Sequence, residues 1–562
     1  MRASAALPSP ALVAEGALSW FRDVASFAER RRWWIIGLCI LEQWLFLWHD
    51  ALGVIHHNGW LFQDGDDGPW YWTTAWAMTS LHVPYTAVGP GWPYLLTPFA
   101  AIFGPNMANG LPAVIALNVL VLAPASAVGM YLLGERIAGR IFGVWTAVLW
   151  TLMPALAFSL YSPAHRTYLA DFFLPTGTGL NTLSDYPSMV CAIFCAYLLL
   201  RAIDTNSLQD GALAGVMLGF LVLIKPANGP LPVVGVVALV ATLRLRALAG
   251  TLVAAVPAAI ALAVWKQVGT GGIPALSGGG GGGGGTSTVT QNAHKYLNID
   301  FHRLGQDVRE LREVFWSMRL LEFLLAAGVI ALVARSRWKG LFVVGWFVAF
   351  GLIKGTVSYA DVYDTSIYRF LLPAWPAWTL IVAGVAYCWP VGLPARARRR
   401  AADLLRARAV RPVGKRALIA VAVVFAALPV ALVVAVSPAQ PGAIVDENYT
   451  GAPIPVVDFG LRATQVGPHS IRFDWSSQAT KRAKTAYAIF KGVDAGCGPP
   501  DPAQLLCRFR MQFIGTTHST TFVDSQAVTR RFYRVGLVKG ATVQVDNPSM
   551  LLMSKPIAIT PR

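Results

Sequence analysis

Long apolar runs recur along the first three quarters of this chain, and short polar segments separate them. A run of about 20 apolar residues is long enough to cross a bilayer as a helix, which satisfies its own backbone polar groups there. The pattern therefore predicts about eleven membrane-spanning helices. They are residues 33–54, 110–133, 141–160, 187–203, 211–225, 229–244, 247–266, 319–335, 340–355, 370–390 and 417–437.

Composition agrees with this interpretation. Of the 562 residues, 55% are hydrophobic and 13% are charged, whereas a soluble domain carries about 25% charged residues. Residues 1–32 are moderately polar and end in Arg30-Arg31-Arg32, with no small-residue cleavage site after them. We therefore expect a cytoplasmic N-terminal segment followed by a first span that is retained and not cleaved as a signal peptide.

The net charge of +17 comes from basic residues gathered in short loops between the spans. This distribution is typical of cytoplasmic loops and predicts anionic membrane lipids as partners, with no nucleic acid. The densest loop, 391–416, holds nine basic residues and one acid, Asp403. With a cytoplasmic N-terminus, this loop and the basic loops 135–140, 201–210, 244–246 and 335–339 all lie inside the cell. The outer segments are then 55–109, 161–186, 267–318, 356–369 and everything after 438. The segment 267–318 contains eight consecutive glycines, Gly278–Gly285, which favour a linker.

The last part of the chain has a different pattern. From about residue 451, short runs of alternating polarity separated by turn residues predict β-strands. The order of Trp475, Tyr487 and Tyr533 along these strands resembles the fibronectin type III sandwich, which implies an exported β-sandwich over residues 438–562. Cys497 and Cys507 would form a disulfide there, because exported domains lie in an oxidising compartment. The predicted strands are 470–475, 486–490, 512–515, 520–523 and 531–536.

The stretch Phe62–Trp72 holds three carboxylates, Asp64, Asp66 and Asp67, just beyond the first predicted span. A carboxylate at a membrane boundary can take a proton from a hydroxyl group of a lipid-borne or envelope substrate. A solvated turn in which one of these acids caps the following helix is the alternative. His56 and His57 precede the acids, so a divalent ion (Mg²⁺ or Mn²⁺) held by His57, Asp64 and Asp66 is left open as a cofactor, since the spacing is not diagnostic.

Four short motifs resemble the GT-C glycosyltransferases, and most closely the branch that contains protein mannosyltransferases and aminoarabinose transferases. The first is Asp67-Gly-Pro-Trp-Tyr71, an acid four positions before a tyrosine, followed by Val83-Pro-Tyr85 and Gly91–Pro98. The family's usual second acid is replaced here by Gly68, and Asp66, two residues earlier, is the candidate substitute. The other three motifs are Ser184-Asp-Tyr-Pro187, Gly219–Pro226 and Ser366–Pro373, so the likeness extends over most of residues 30–390.

The resemblance implies a mainly α polytopic helical bundle, which the C-terminal β-sandwich follows. It also implies transfer of a sugar from a polyprenyl-phosphate donor to a cell-envelope glycan, lipid or protein on the outer face, with inversion. In this interpretation Asp67, or Asp66, is the general base, and basic side chains hold the departing phosphate. The candidate substrate-binding residues are Arg369, Lys225, Asp185, Tyr71, Lys354 and Arg166.

Plainer interpretations of the same residues remain open. Asp185 could be a helix N-cap, and Arg369 and Lys354 could be boundary residues that reach towards water. Glu42 lies inside the first span and is expected to face the bundle. A transporter or lipid-linked sugar flippase with a glycan-binding tail is the main alternative function. It would place ionisable groups near the bilayer midplane, whereas all these groups but Glu42 are predicted at the outer boundary. An adhesion or scaffold protein would need only one or two spans.

Overall fold

The computed structural model describes most of the helical part of the chain and the central strands of the tail. The described residues are 10–47, 67–79, 81–83, 88–104, 107–165, 173–270, 299–315, 317–357, 360–363, 366–386, 437–438, 445–447, 453–457, 459–477, 485–494, 509–527, 531–539, 552–554 and 557–559.

Sixteen α-helices form the first part of the described chain. Prolines and glycines stand at many of their ends, because proline cannot continue a helix and glycine adopts the backbone conformation that ends one. The helices are α1 (Pro10–Phe46), α2 (Asp67–Thr79), α3 (Gly91–Phe103), α4 (Met107–Ala116), α5 (Ala123–Ala138), α6 (Arg140–Leu160), α7 (Leu174–Thr178), α8 (Asp185–Thr205), α9 (Leu208–Ile224), α10 (Pro230–Ala241), α11 (Leu245–Thr270), α12 (Phe301–Val314), α13 (Met318–Arg335), α14 (Arg337–Lys354), α15 (Ser366–Leu371) and α16 (Trp375–Gly384). A π-helical segment, Leu117–Leu122, joins α4 to α5.

Helices are present in ten of the eleven predicted spans. Residues 48–54 of the first span, 387–390 of the tenth and nearly all of the eleventh, 417–437, lie outside the described residues. Among the described residues, four continuous helices are long and apolar enough to cross a membrane: Gly110–Ala138, Arg140–Leu160, Asp185–Thr205 and Leu245–Gln267. The prediction of a polytopic helical bundle is thus confirmed, and the chain is a membrane protein. One detail differs from expectation, because α1 begins at Pro10, within the predicted polar segment, and passes a kink at Arg31 before the first span.

Helix α8 is the centre of the bundle, because 94% of its most apolar stretch is buried inside the protein. Its 21 residues separate the two ends of the bundle by roughly 31 Å. At the Thr205 end, Asp204 accepts from Arg136 at 2.9 Å and from Lys339 at 3.0 Å. Three loops predicted to share one side of the membrane therefore do meet at one end of the bundle.

Close backbone contact joins α9 to α11. Glycines recur every four residues on one face of α9, and a Cβ atom at Gly215 would lie 2.2 Å from the carbonyl oxygen of Thr251. The same face brings the Thr251 hydroxyl within 3.0 Å of the Gly211 carbonyl oxygen, to which it donates. Small residues of this kind let helices in a membrane approach until backbone dispersion and hydrogen bonds hold them. This packing holds α9 against α11 along its length.

The C-terminal part consists of β-strands in two layers. In chain order the strands are β1 (His82–Val83), β2 (Ser437–Pro438), β3 (Val445–Glu447), β4 (Pro453–Val457), β5 (Arg462–Gly467), β6 (Ser470–Asp474), β7 (Thr485–Asp494), β8 (Phe509–Thr517), β9 (Thr521–Asp524), β10 (Arg531–Lys539), β11 (Leu552–Ser554) and β12 (Ile557–Ile559). One layer contains β3, β4, β11, β10, β7 and β8 in this order, with β12 also pairing with β10, and the other contains β5, β6 and β9. All five predicted strands are present. Phe473 and Trp475 from the smaller layer and Tyr487, Tyr533 and Val535 from the larger layer are buried in one hydrophobic core.

The β layers rest on the end of the bundle that carries the start of α8. Strand β1, from the first long polar segment, pairs in parallel with β2 at the beginning of the tail. Strand β4 contacts α2. The tail therefore begins at, and lies against, the same polar segment in which the sequence pattern places the candidate catalytic acids.

Candidate active site

A fully buried carboxylate between two cations is the most distinctive polar feature of the described residues. Asp185 is 0% exposed, and its Oδ2 accepts from Nε of Arg369 at 3.1 Å. The ammonium of Lys225 donates to Oδ1 of the same carboxylate. The two cationic side chains are 22% and 16% exposed. One negative charge is thus held by two positive charges, and both cations keep an edge towards the solvent-accessible side.

Local sequence explains why these three residues stand at helix ends. Asp185 is the first residue of α8, where the positive end of the helix dipole stabilises a carboxylate. Lys225 directly follows α9, because Pro226 cannot continue that helix. The end of α9 is clamped by α3, since a Cβ atom at Gly91 would lie 2.6 Å from the backbone nitrogen of Ile224. Arg369 lies in α15, a short helix of six residues. These three helix ends come together only in the folded bundle.

Tyr71 on α2 is joined to the same site. The hydroxyl of Ser184 donates to the Tyr71 hydroxyl at 2.6 Å, and both side chains are buried. Asp67 is the first residue of α2, and its backbone lies about one helical turn, roughly 6 Å along the axis, before Tyr71. The helix that begins with the candidate base is therefore anchored beside Asp185.

Two buried side chains that the sequence interpretation missed hold the loop before Asp185. Asn118, in the π-helical segment, donates to the carbonyl oxygens of Gly179 and Asn181 at 2.8 and 3.1 Å. The indole nitrogen of Trp92 on α3 donates to the Thr182 carbonyl oxygen at 2.7 Å. The signal for Asn118 was present in the sequence, because it is the one amide side chain in the apolar run 110–133. A polar group inside a span needs a partner.

A cleft with mostly apolar walls lies beside the cations. It encloses about 440 Å³ of non-atom space, part of it open to the exterior, and Phe173, Trp150 and Trp375 line it. Tyr186, the residue after Asp185, and Leu372, three residues after Arg369, also contribute to its wall. Walls of this kind suit the apolar part of a ligand.

The remaining candidates are placed as follows. Lys354 is buried at the end of α14, and α14 contacts the helix that carries Arg369. The hypothesis that Asp185 is an N-cap is wrong, because Ser184 occupies that position and Asp185 belongs to the first turn. Among the described residues, no group of three His, Cys, Asp or Glu side chains is arranged to hold a metal ion. Arg166, His56, His57, Asp64, Asp66, Cys497, Cys507 and the side chain of Asp67 lie outside what the structure describes.

Comparison with known proteins gives only distant similarity. No protein-family model matches the chain, and no curated protein matches it. Solved structures of the oligosaccharyltransferase of Archaeoglobus fulgidus do match. One, named AglB and solved with an inhibitory peptide and a dolichol-phosphate, is 11% identical, with a TM-score of 0.38, over 74% of this chain and 57% of that chain. Another, tethered to an acceptor peptide containing the NVT sequon, is 13% identical with a TM-score of 0.39, over the same shares. A third, solved with zinc and sulfate, is 14% identical with a TM-score of 0.35, over 72% of this chain and 54% of that chain.

The fold and the site together define a polytopic membrane protein with a β-sandwich and a buried carboxylate between two cations at one end of its bundle. The chain spans somewhat over half the length of the archaeal oligosaccharyltransferases that it matches. Similarity at this level does not establish a common activity.

Proposed function

We propose that this chain is a membrane glycosyltransferase that moves a sugar from a polyprenyl-phosphate donor to a cell-envelope acceptor. The reaction takes place on the outer face of the membrane, at the end of the bundle that carries Asp185. A single displacement inverts the anomeric configuration. The observation that carries the proposal is the pairing of Asp185 with both Lys225 and Arg369 beside an apolar cleft.

The charges of this cluster suit a phosphate leaving group. Asp185 holds two cations side by side, and both keep an exposed edge. A phosphate anion at these edges of Lys225 and Arg369 would accept charge-assisted hydrogen bonds from them. These bonds strengthen as negative charge grows on the departing oxygen, so they stabilise the transition state more than the bound donor. Asp185 acts here as a positioning residue that keeps both cations in place.

The cleft suits the lipid part of the same donor. Its walls are mainly aromatic and aliphatic, and Leu372, three residues after Arg369, is one of them. An isoprenoid chain in this cleft would place its phosphate at the cations and its sugar towards the polar segment that contains α2. Asp67 begins α2 one turn before Tyr71, which is hydrogen-bonded to Ser184. In the proposal Asp67 takes the proton of the acceptor hydroxyl, with Asp66 as the neighbouring acid.

The test is transfer by the purified full-length protein in lipid nanodiscs, with a panel of polyprenyl-phosphate sugars and with or without a chelator. We expect release of polyprenyl phosphate and a product of inverted anomeric configuration. Loss of activity on chelation would assign a divalent ion to the site. Absence of transfer with every donor, together with movement of a lipid-linked sugar across the bilayer, would replace the proposal with a flippase.

Two variants test the roles within the site. Arg369→Gln should raise the donor KM by about 10- to 100-fold, because a hydrogen bond to a charged group is worth roughly 1.5–3 kcal/mol. Asp67→Asn should lower kcat by about 10²- to 10⁴-fold with little change in donor binding, as expected for loss of a general base. Arg309→Gln, which changes an exposed arginine of α12, is the matched control. Normal turnover in Asp67→Asn would remove Asp67 as the base.

A further inference from the structure

Helix α12 carries a buried acid that the reaction does not use. Asp307 is 1% exposed, although α12 is otherwise a polar helix outside the four membrane-spanning helices. Nε of Arg303 lies 3.2 Å from Asp307 Oδ1, but the direction of the N–H group is unfavourable. Neither carboxylate oxygen accepts a hydrogen bond from any described residue. A buried carboxylate that accepts no hydrogen bond from the described residues destabilises the fold.

Arg303 connects this acid to the segment that precedes Arg369. Its guanidinium donates to the Ala360 carbonyl oxygen and lies 3.7 Å from the Asp361 carboxylate. Asp361 in turn fixes the start of α15, because its backbone nitrogen donates to the Ser366 hydroxyl at 2.9 Å. Its carbonyl oxygen accepts from the Ile367 nitrogen at 3.1 Å. Arg369 follows two residues later, on the same short helix.

The other end of α12 reaches the same helix through aromatic rings. Phe315 directly follows α12, and its ring lies 4.8 Å from that of Tyr161 and 6.2 Å from that of Tyr368, measured between centroids. The ring of Tyr368 also lies 5.2 Å from Phe173, which lines the cleft. Edge-to-face contacts at such distances stabilise a fixed arrangement. Both ends of α12 are thus fastened to the residues that surround Arg369.

We infer that α12 is a latch which positions Arg369, with the contacts of Arg303 to Ala360 and Asp361 as its fastening. When α12 is docked, Arg303 holds residues 360–361, these residues hold the start of α15, and Arg369 is kept against Asp185. When α12 is released, the start of α15 loses this support and the guanidinium is no longer fixed. This inference rests on the proposed function for its effect on the donor, but the docking of α12 can be measured without any transfer reaction.

The latch responds to pH. Burial raises the pKa of the Asp307 carboxyl to about 6, against the opposing effect of Arg303, while Glu310, Asp361 and Asp300 raise it further. A carboxyl whose pKa is higher in the docked state stabilises that state when it is protonated. Docking is therefore favoured in acid. This contribution is complete below the ordinary pKa of 3.8 and is lost as the pH rises from there through about 6. Because each pKa unit is a tenfold change in the equilibrium, the docking equilibrium constant falls by about 100-fold over this range.

The experiment compares four full-length proteins in nanodiscs: wild type, Asp307→Asn, Arg303→Gln and the double variant, with Arg309→Gln as the control. Hydrogen exchange of amides 304–314 is measured at about pH 5 and about pH 7.5, either side of the carboxyl's pKa, and corrected for the intrinsic rate. We expect protection in the wild type to fall by about tenfold between these pH values, because part of the loss is already complete at the lower one. Asp307→Asn should show no such pH dependence. An equal pH dependence in Asp307→Asn would overturn the latch.

A second measurement links the latch to Arg369. Farnesyl phosphate serves as a soluble probe. At each pH its Kd for a variant is divided by its Kd for Arg309→Gln, so that the effect of ionisation of the probe itself cancels. Arg303→Gln should weaken binding about tenfold at neutral pH, because it removes the contacts with Ala360 and Asp361. The double variant lacks the same contacts and should bind as weakly, although the stranded buried charge of Asp307 is gone. Binding restored in the double variant would assign the loss to that charge, and unchanged binding in Arg303→Gln would show that its contacts do not position Arg369; either result would overturn the positioning role. If Arg369→Gln also leaves the Kd unchanged, the proposed function fails instead.

Discussion

Replacing Asp185 with asparagine is the sharpest single perturbation of the site. Asparagine has the same shape, so the change removes a charge without opening a cavity. In the native protein the carboxylate is fully buried and compensates Arg369 and Lys225. Removing one member of a buried ion pair costs about 3–5 kcal/mol, because the remaining charge is stranded. Both cations here are partly exposed and can turn towards water, so we expect the lower end, about 3 kcal/mol.

Thermal unfolding in detergent can be followed with a thiol-reactive dye, because Cys191 and Cys195 are buried in the same helix as Asp185 and become reactive on unfolding. The control is Glu322→Gln, which removes an exposed carboxylate that binds Arg312 through two hydrogen bonds. An exposed pair of this kind contributes little, so its midpoint should hardly move. Asp185→Asn should also weaken farnesyl phosphate binding, because two cations without their shared anion repel each other and leave the phosphate position. Unchanged unfolding and unchanged binding together would refute the account of the cluster.

Two further predictions concern the framework and the tail. Gly215→Ala should destabilise the bundle by about 1–3 kcal/mol, because the new methyl group would press on the Thr251 carbonyl. In the same thiol assay Gly351→Ala is the control and should be neutral or slightly stabilising, since no atom lies within 4 Å of its new Cβ. Equal unfolding midpoints for the two variants would contradict the packing. Cys497 and Cys507 should resist alkylation in the native exported protein until a reductant is added, and labelling without reductant would remove the predicted disulfide.

The sequence alone determined where the helices and strands are. An apolar run such as 187–203 must become a helix in lipid, because no water is present to satisfy its backbone, and α8 covers that run. The alternation at 470–475 likewise predicted the strand β6, since a period of two places one set of side chains in a core. These are local properties. They depend on neighbours within a few residues, and they were sufficient for the fold class.

Only the tertiary structure decided which polar residues meet. Asp185, Lys225 and Arg369 each stood out in the sequence, but nothing in it indicated that one carboxylate serves both cations across 40 and 184 residues of chain. That choice depends on how closely α9 approaches α3 and α11 through bare glycine backbone. The glycines at every fourth position of α9 indicate a close contact, but they do not indicate which helices make it. Asp307 was missed for the same reason. Its spacing is that of an ordinary solvated helix, and its burial arises only in the folded protein, where Arg303 of the same helix contacts Ala360 and Asp361.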